Sequence, residues 1–147
     1  MRQRNRRQLA HGESEMHYLS DVVEVLYGPG QPMSGSEMKN DEAIAYVRQH
    51  CPQAPFCLVR DWVWVDLDVS DVQRADLQEA RCQPVILYAH TVIHDSTDQW
   101  RCGDFVRTSP LHVFQDGFLF KTCRTVYVLL GGGMRKVSAP DVLERVL

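Results

Sequence analysis

The sequence predicts an α+β fold: N-terminal helices and one strand, then a bent antiparallel sheet of about five strands, SH3-like or split-barrel in type, and a short C-terminal helix. Residues 15–27 have helical periodicity, residues 56–69 alternate with a period of two, and β-type segments follow one another after Pro84. Since 147 residues fit one domain, we expect a disordered basic tail over residues 1–14 and a single α+β domain over residues 15–147.

Two helices are predicted at the start of the domain. In residues 15–27 the apolar side chains recur at steps of three and four, which gives a helix one apolar stripe, and Gly28 follows as a stop. A second helix is expected from about Ser36 to His50, with Pro52 soon after it.

A strand and a third helix are predicted next. The stretch FCLVRDWVWVDLDV places valines and a leucine on one face and tryptophans and aspartates on the other, which is the period of a strand. Ser70, with Gln73 three residues later, resembles a capping box and opens a short helix through about Arg81.

The second half of the chain is rich in sheet-forming residues. The segments VILYAHTVIHD, DFVRTS, LHVF and FLFKT are predicted strands, and Asp116-Gly117 is the strongest hairpin signal. The segment TVYVLL is apolar on both faces, which predicts a central strand covered on both sides. Gly131–Gly133 ends that strand, and Ser138 with Asp141 opens the final helix.

Composition narrows the class of protein. No apolar run approaches the roughly 18 residues that a membrane span needs, so we expect no membrane partner. Four arginines stand in residues 1–7 without a following apolar region, which excludes a secretory signal; they form a solvated tail or a basic arm for an anionic partner. Five cysteines without a C-x-x-C pair are typical of reduced thiols, so a cytoplasmic location is expected.

The charges are distributed unevenly along the chain. Residues 61–98 hold eight acidic against two basic residues, whereas residues 100–136 hold six basic against two acidic residues. Either the two halves neutralise each other in the folded domain, or the second half offers a basic face to an anionic surface.

Two patterns that suggest ligand chemistry are weak. His90 and His94 are four residues apart, but in a strand that spacing spans roughly 13 Å, too far to share one metal ion. The run GGGMRK lacks the spacing of a phosphate-binding P-loop, so a flexible turn is favoured over an anion cradle at Gly131–Lys136. We therefore expect no metal and no cofactor, and no catalytic residue is assigned.

A recognition surface is predicted around the polar interruption in DFVRTS, where each face of the strand mixes apolar and polar groups. The alternative is that these groups pin a strand corner, with Asp95 or Asp104 as the acidic partner of a buried Arg107. The predicted binding residues are Trp100, Asp104, Arg107, Thr108, Ser109, Arg135 and Lys136.

The motifs YGPGQPM, CLVRDWVWVD, PVILYAHTVIHDS, GDFVRTSPL and TVYVLLGGGMRK occur in that order between Tyr27 and Lys136. With them the chain resembles an uncharacterised family of small bacterial proteins, classed as a domain of unknown function and met in proteobacterial chromosomes and mobile elements. The resemblance implies a shared compact domain and brings no activity, cofactor or partner.

Three functions are compatible with these observations. The first is a non-enzymatic macromolecule-binding or regulatory accessory protein of bacterial or mobile-element origin, whose partner is another protein. The second is a nucleic-acid-binding module that uses the basic C-terminal β-region, with Trp100 as a stacking platform. The third is a thiol-dependent hydrolase or transferase that uses Cys102 or Cys123 with His90 or His112.

Overall fold

In the computed structural model, which describes residues 30–138, one long strand lies at the centre of a single eight-stranded sheet. The strands are β1 (Gln31–Ser34), β2 (Phe56–Leu67), β3 (Val85–Asp95), β4 (Val106–Arg107), β5 (Val113–Gln115), β6 (Leu119–Lys121), β7 (Val126–Leu129) and β8 (Gly132–Ser138). The helices are α1 (Asn40–His50) and α2 (Asp71–Glu79).

The central strand β2 pairs with three other strands. Along one edge it pairs antiparallel with β3, which in turn pairs with β4. Along the other edge its first part, Phe56–Val59, runs parallel to Val126–Leu129, and its last part, Val63–Leu67, runs parallel to Met134–Ser138. The order is β1-β8-β2-β7-β6-β5, so β7 and β8 share one edge of β2 and the sheet curls into a half-barrel.

This architecture corrects the predicted fold class. The described chain is mostly β, with eight strands and two helices, and its sheet is mixed because β7 and β8 run parallel to β2. The prediction of helices and one strand followed by about five antiparallel strands is wrong. The predicted helix over residues 15–27, the final helix after Ser138 and the tail over residues 1–14 lie outside the described residues.

Several local predictions are confirmed. The segment read as alternating is β2, and the Ser70 hydroxyl accepts a hydrogen bond from the amide of Gln73, as the capping box requires. The β5–β6 hairpin turns at Asp116 and Gly117, both with positive φ. The second helix starts later than expected, at Asn40, because β1 and an isolated bridge from Ser36 to Leu130 precede it.

A bend in β2 keeps its large side chains in one core. Asp61 has a φ of +54°, a conformation that residues other than glycine rarely adopt. Across this bend the residues that face the core change from Cys57 and Val59 to Trp62 and Trp64, a step of three instead of two. The concave side of the sheet therefore encloses a continuous apolar cluster, which we call the inner core.

The opposite side of the sheet is covered in two parts. Ala43 and Val47 of α1 are fully buried against the start of β2 and against β7. Beyond the bend, Val65 and Tyr88 belong to a separate buried cluster with Val63 and Ile86, on a side that we call the outer face.

As predicted, the glycine run ends β7, which stops at Leu129, but its last two glycines already belong to β8, which begins at Gly132. Gly131 has a φ of +70°, and its amide donates to the carbonyl of Ser36. Gly132 and Gly133 pair with Ser34 and Met33 of β1. Because these backbone groups take part in the sheet, the run is neither a flexible turn nor a ready anion cradle.

Gly133 permits the close packing of Trp62. A Cβ atom at Gly133 would lie 2.4 Å from two carbons of the indole ring, closer than van der Waals contact allows. The ring is almost fully buried, and its Nε1 donates to the carbonyl of Leu130 at 3.2 Å. Trp62 therefore cannot move aside at low cost.

We expect Gly133→Ala to lower the free energy of unfolding by about 1–3 kcal/mol, because the added methyl group overpacks the core against Trp62. Gly132→Ala is the matched control, since nothing lies within 4 Å of a Cβ at that position. The control should stay within about 0.5 kcal/mol of the wild type. Urea denaturation measures both, and equal stability of the two variants would contradict the packing described for Trp62.

Two ionisable groups are buried in the inner core. Burial raises the pKa of the Cys57 thiol from 9.0 to about 12, with a further contribution from the charge of Asp95. Burial likewise raises the pKa of the Tyr127 hydroxyl from 10.0 to about 12. Both groups are neutral in the folded protein at pH values where they ionise in the unfolded chain.

Stability should therefore fall as pH rises from about 9 to about 12. In this window the unfolded chain binds fewer protons than the folded protein, so the stabilisation present below pH 9 is lost by about pH 12. Cys57→Ala and Tyr127→Phe should each flatten the slope of unfolding free energy against pH, whatever their effect at neutral pH. Denaturation series at several pH values give this slope, and unaltered slopes in both variants would contradict the assignment.

Candidate binding groove

Arg107 lies on the outer face. It stands opposite Tyr88 in the antiparallel β3–β4 pair, and residues directly opposite each other have side chains on the same face. Tyr88 is fully buried and contacts the ring of Phe105, whose centroid is 5.4 Å away. Among the described residues, neither Asp95 nor Asp104 forms an ion pair with Arg107, and Arg107 as a whole is half-buried.

The structure separates the two cations of β8. Consecutive strand residues point to opposite faces, so Arg135 and Lys136 cannot act on one surface. Arg135 donates to the carboxylate of Asp66 at 2.7 Å and 3.1 Å, and its guanidinium lies 5.5 Å from the ring centre of Trp64. Lys136 is opposite Val65 on the outer face and is only 9% exposed.

The ion pair of Arg135 joins two neighbouring strands of the sheet, β8 and β2. The hydrogen bond from its guanidinium to Asp66 raises the pKa of Arg135, which stays charged at any physiological pH. Lys136 and Arg107 do share the outer face, but β2 and β3 lie between their strands, a separation of roughly 14 Å.

Two predicted binding residues, Trp100 and Asp104, take part in hydrogen bonds between the backbone and an aspartate instead. The amide of Trp100 donates to Asp95 at 2.8 Å, and its side chain packs against the inner core. The carboxylate of Asp104 accepts from the amide of Arg101 at 2.8 Å.

Thr108 explains the polar interruption after β4. Its buried hydroxyl accepts from the amide of Leu87 at 3.0 Å and donates to the carbonyl of Ser109 at 2.8 Å. The side chain thus replaces a backbone partner of β3, just before Pro110, which has no amide hydrogen. Ser109 itself is exposed.

We expect Thr108→Val to lower the free energy of unfolding by about 1–3 kcal/mol, because the variant keeps the shape but leaves the buried amide of Leu87 without its acceptor. The neighbouring Ser109→Ala should change stability by less than about 0.5 kcal/mol. Thermal or urea unfolding compares the two. A neutral Thr108→Val would mean that the hydroxyl serves something other than the fold.

A concavity lies elsewhere, where the end of α1 meets β5, β6 and the start of β7. Its volume is about 540 Å³. We call it the groove, and it is lined by His50, Cys51, Pro52, Gln53, Ala54, His112, Val113, Gln115, Lys121, Thr122, Cys123, Arg124, Thr125 and Val126.

One wall of the groove is the C-terminal end of α1. The ring of His50 stacks on Tyr46, with centroids 4.0 Å apart, and its Nδ1 lies 2.9 Å from the carbonyl of Tyr46. The Tyr46 hydroxyl donates to Asp116 at 2.6 Å, which joins α1 to the β5–β6 hairpin and raises the pKa of Tyr46. This wall is therefore fixed to the sheet.

The opposite wall is the tight turn between β6 and β7. The Thr122 hydroxyl accepts from the amides of Arg124 and Thr125, and the Thr122 amide donates to the carbonyl of Thr125. Because one side chain and its own backbone close the turn, Cys123 and Arg124 stand exposed on a defined loop.

His112 and Lys121 form the base. The amide of His112 donates to the carbonyl of Lys121 at 2.7 Å, and the His112 Nδ1 lies 2.6 Å from the carbonyl of Arg81. Since a carbonyl only accepts, Nδ1 carries the proton, and Nε2 is the acceptor of a neutral ring. The Lys121 ammonium donates to the Gln115 side chain at 2.6 Å.

The charges of the groove have one sign. Lys121 and Arg124 are cationic, and none of the described residues that line the groove is Asp or Glu. An ammonium has three donors and a guanidinium has five, so both can donate to an anion in the groove. The arrangement is suited to carboxylate or phosphate groups.

Sequence reasoning found this groove only in part. His50, Lys121 and Arg124 were not predicted as site residues, whereas His112 and Cys123 entered only as members of a thiol site. The local signal that could have found the turn is the Thr-x-x-Thr spacing around Cys123, which is compatible with a turn closed by a threonine hydroxyl. Nothing in the spacing places the end of α1 beside that turn.

Residues 30–138 contain no group of three or more His, Cys, Asp or Glu side chains that could hold a metal ion. Within the same range, neither helix has the length and apolar character needed to cross a membrane.

A comparison with protein families gives one match. The family model described as Domain of unknown function (DUF6957) matches residues 33–144. No curated protein and no solved structure matches the chain. The matched region includes every strand from β2 to β8 and all residues of the groove.

Proposed function

The chain belongs to the family described as Domain of unknown function (DUF6957), whose description names no reaction or ligand, and we therefore propose a function from the groove. The protein is a non-enzymatic macromolecule-binding accessory protein of the bacterial cytoplasm or of a mobile element. It binds an acidic segment of a partner protein in the groove. The observation that carries this proposal is a preformed concavity whose charged lining residues are Lys121 and Arg124.

The construction of the groove supports binding. Its walls come from α1, the β5–β6 hairpin and the β6–β7 turn, which hydrogen bonds hold together through Tyr46 and Thr122. A site whose side chains are fixed before binding loses less conformational entropy when the ligand arrives. An extended peptide with carboxylates fits an open groove of this kind better than a small enclosed ligand.

The groove is preferred to the predicted surface around Arg107. Of the predicted cations, Arg107 and Lys136 lie on the outer face, and Lys136 is only 9% exposed. Arg135 belongs to the other side of the sheet and is engaged by Asp66. A ligand could therefore not contact the predicted cations together.

A protein partner is favoured over nucleic acid. The chain has a net charge of −3, which opposes association with a long polyanion such as nucleic acid more than with a short acidic segment that contacts the groove alone. Single-stranded nucleic acids usually stack on Phe, Tyr or Trp, and none of these residue types is among the described residues that line the groove.

Two features of the cysteines support the cytoplasmic location and the non-enzymatic role that we propose. The cysteines Cys51, Cys57, Cys82, Cys102 and Cys123 are all free, as is usual in a reducing cytoplasm. Burial raises the pKa values of the Cys57 and Cys82 thiols, which makes these two cysteines unsuited to act as activated nucleophiles, since an activated thiol needs a lowered pKa.

Titration of a fluorescent oligoglutamate peptide at low salt tests the groove. We expect Arg124→Glu and Lys121→Glu to weaken binding roughly ten- to hundredfold, since each removes a charge-assisted hydrogen bond and adds repulsion. The matched control is Arg74→Glu, because Arg74 is exposed on α2, and α2 has no buried residue. Arg107→Glu serves as the control for the outer face.

Three outcomes of this titration would contradict binding of an acidic peptide in the groove. Equal affinity of the Arg124 and Arg74 variants would reject the groove, and loss of binding only in Arg107→Glu would favour the outer face. A labelled single-stranded oligonucleotide is titrated in parallel, and tighter binding of that probe would favour the nucleic-acid hypothesis. Affinity capture with wild type and Arg124→Glu then identifies partners that depend on the groove.

A further inference from the structure

The groove contains one exposed apolar side chain beside its cations. Among residues 30–138, three large apolar side chains are strongly exposed, those of Val72, Val113 and Val137. Val113 is the one of these three that lines the groove, and it is 41% exposed. A single exposed valine on an open surface needs no explanation. Inside a concavity that also holds two cations, however, it is placed to contact a ligand.

Val113 is exposed because α1 ends before covering it. Phe114 packs against the inner core, so Val113 points to the opposite side of the β5–β6 hairpin, the side on which α1 lies. On that side Leu119 is fully buried in the cluster that includes the buried residues of α1. The helix ends at His50, and Val113 remains uncovered beyond this end.

Lys121 lies directly opposite Val113 in the antiparallel pair of β5 and β6, so the two side chains share one face of the hairpin. The Lys121 ammonium donates to the side chain of Gln115 at 2.6 Å. Gln115 is two residues closer to the tip of the hairpin, a distance of roughly 7 Å along the strand. The ammonium therefore lies on the tip side of Val113, and two of its three donors remain for a carboxylate.

Arg124 lies on the other side of Val113. Strand β6 runs from the tip of the hairpin towards the turn at residues 122–125, so Arg124 follows Lys121 in the direction away from the tip. Arg124 is exposed and lines the groove. Along the groove, an apolar contact surface thus stands between two cations.

We propose that the groove recognises a segment in which one apolar side chain stands between two acidic side chains at alternate positions, in the order acidic-x-apolar-x-acidic. The apolar side chain contacts Val113, and the two acidic side chains contact Lys121 and Arg124. This inference rests on the proposed function, and it specifies the class of acidic segment that the groove binds.

The alternate spacing follows from the geometry of an extended chain. Its side chains at positions i and i+2 point to one face and are roughly 7 Å apart, whereas neighbouring side chains point to opposite faces. That distance matches the separation of Val113 from Gln115, beside which the Lys121 ammonium is held. A segment with acidic side chains alone would leave Val113 in contact with water and would bind less tightly.

Fluorescence anisotropy with the full chain and labelled peptides tests the proposal. At low salt we expect a peptide with the core Glu-Gly-Leu-Gly-Glu to bind roughly tenfold more tightly than one with the core Glu-Gly-Gly-Gly-Glu, because the leucine is partly buried against Val113. The isomer Gly-Glu-Leu-Glu-Gly should lose most of this gain, since its acidic side chains leave the face of the leucine. High salt should weaken all three peptides but preserve the advantage of leucine over glycine, because apolar contacts are not screened.

A threonine variant tests the role of Val113. Val113→Thr keeps the shape of the side chain and its preference for strands, and it should bring the affinities of the leucine and glycine peptides towards equality. Val137→Thr is the matched control, because Val137 is 70% exposed on a strand and does not line the groove. The control should keep the wild-type ratio of the two affinities. Circular dichroism checks that both variants are folded.

The outcomes separate this inference from the proposed function. Equal binding of the leucine and glycine peptides by the wild type, or a wild-type ratio in Val113→Thr, would overturn the apolar contact but leave the binding of acidic segments in place. Tighter binding of the isomer would overturn the alternate spacing. Failure of every acidic peptide to bind, or unchanged binding in Arg124→Glu, would reject the proposed function and this inference together.

Discussion

The fold depends on the close approach of Trp62 to the backbone of Gly133. Trp62 stands just beyond the bend in β2, and Gly133 lies at the start of β8, so their contact determines how closely the two strands can pack. With the indole held by Leu130, β8 can pair with the end of β2 while β7 pairs with its beginning. A single strand thereby joins two parallel partners on one edge, and the sheet must curl.

The position of the groove follows from this arrangement. Because β7 occupies the edge of β2 next to β6, the hairpin of β5 and β6 is carried to the side of the sheet that α1 covers. Tyr46 then reaches Asp116 at the tip of the hairpin. The cations of the groove come from the end of β6 and from the β6–β7 turn, a segment whose own hydrogen bonds already fix its shape.

Sequence reasoning succeeded where the information is local. The alternation of β2, the capping box at Ser70 and the Asp116-Gly117 turn depend on neighbouring residues, and the structure has them all. It failed for pairings that depend on distant segments. TVYVLL indicates a strand buried on both faces, but nothing in its composition shows that it runs parallel to β2.

The same limit applies to the candidate site. Arg107, Arg135 and Lys136 are basic residues of one half of the chain, yet alternation along β8 sends the last two to opposite faces, as the sequence already implied once β8 was known to be a strand. The role of Thr108 in satisfying a backbone group could not be read from spacing, because its partner Leu87 is 21 residues away and is defined only by the folded chain. The contact of Asp104 with Arg101 is local and was missed by the sequence analysis.

The parallel pairing of β2 has a consequence for biosynthesis. Phe56 is paired with Val126, so the central strand leaves the ribosome long before its partners on that edge have been translated. Contacts between such distant segments slow folding, and an apolar strand that waits with one edge open is prone to wrong association. Because β3 follows β2 after one short helix, it can pair with β2 early and so reduce the wrong association of that strand. Nascent chains truncated before β7 would then be the form of this protein most dependent on chaperones.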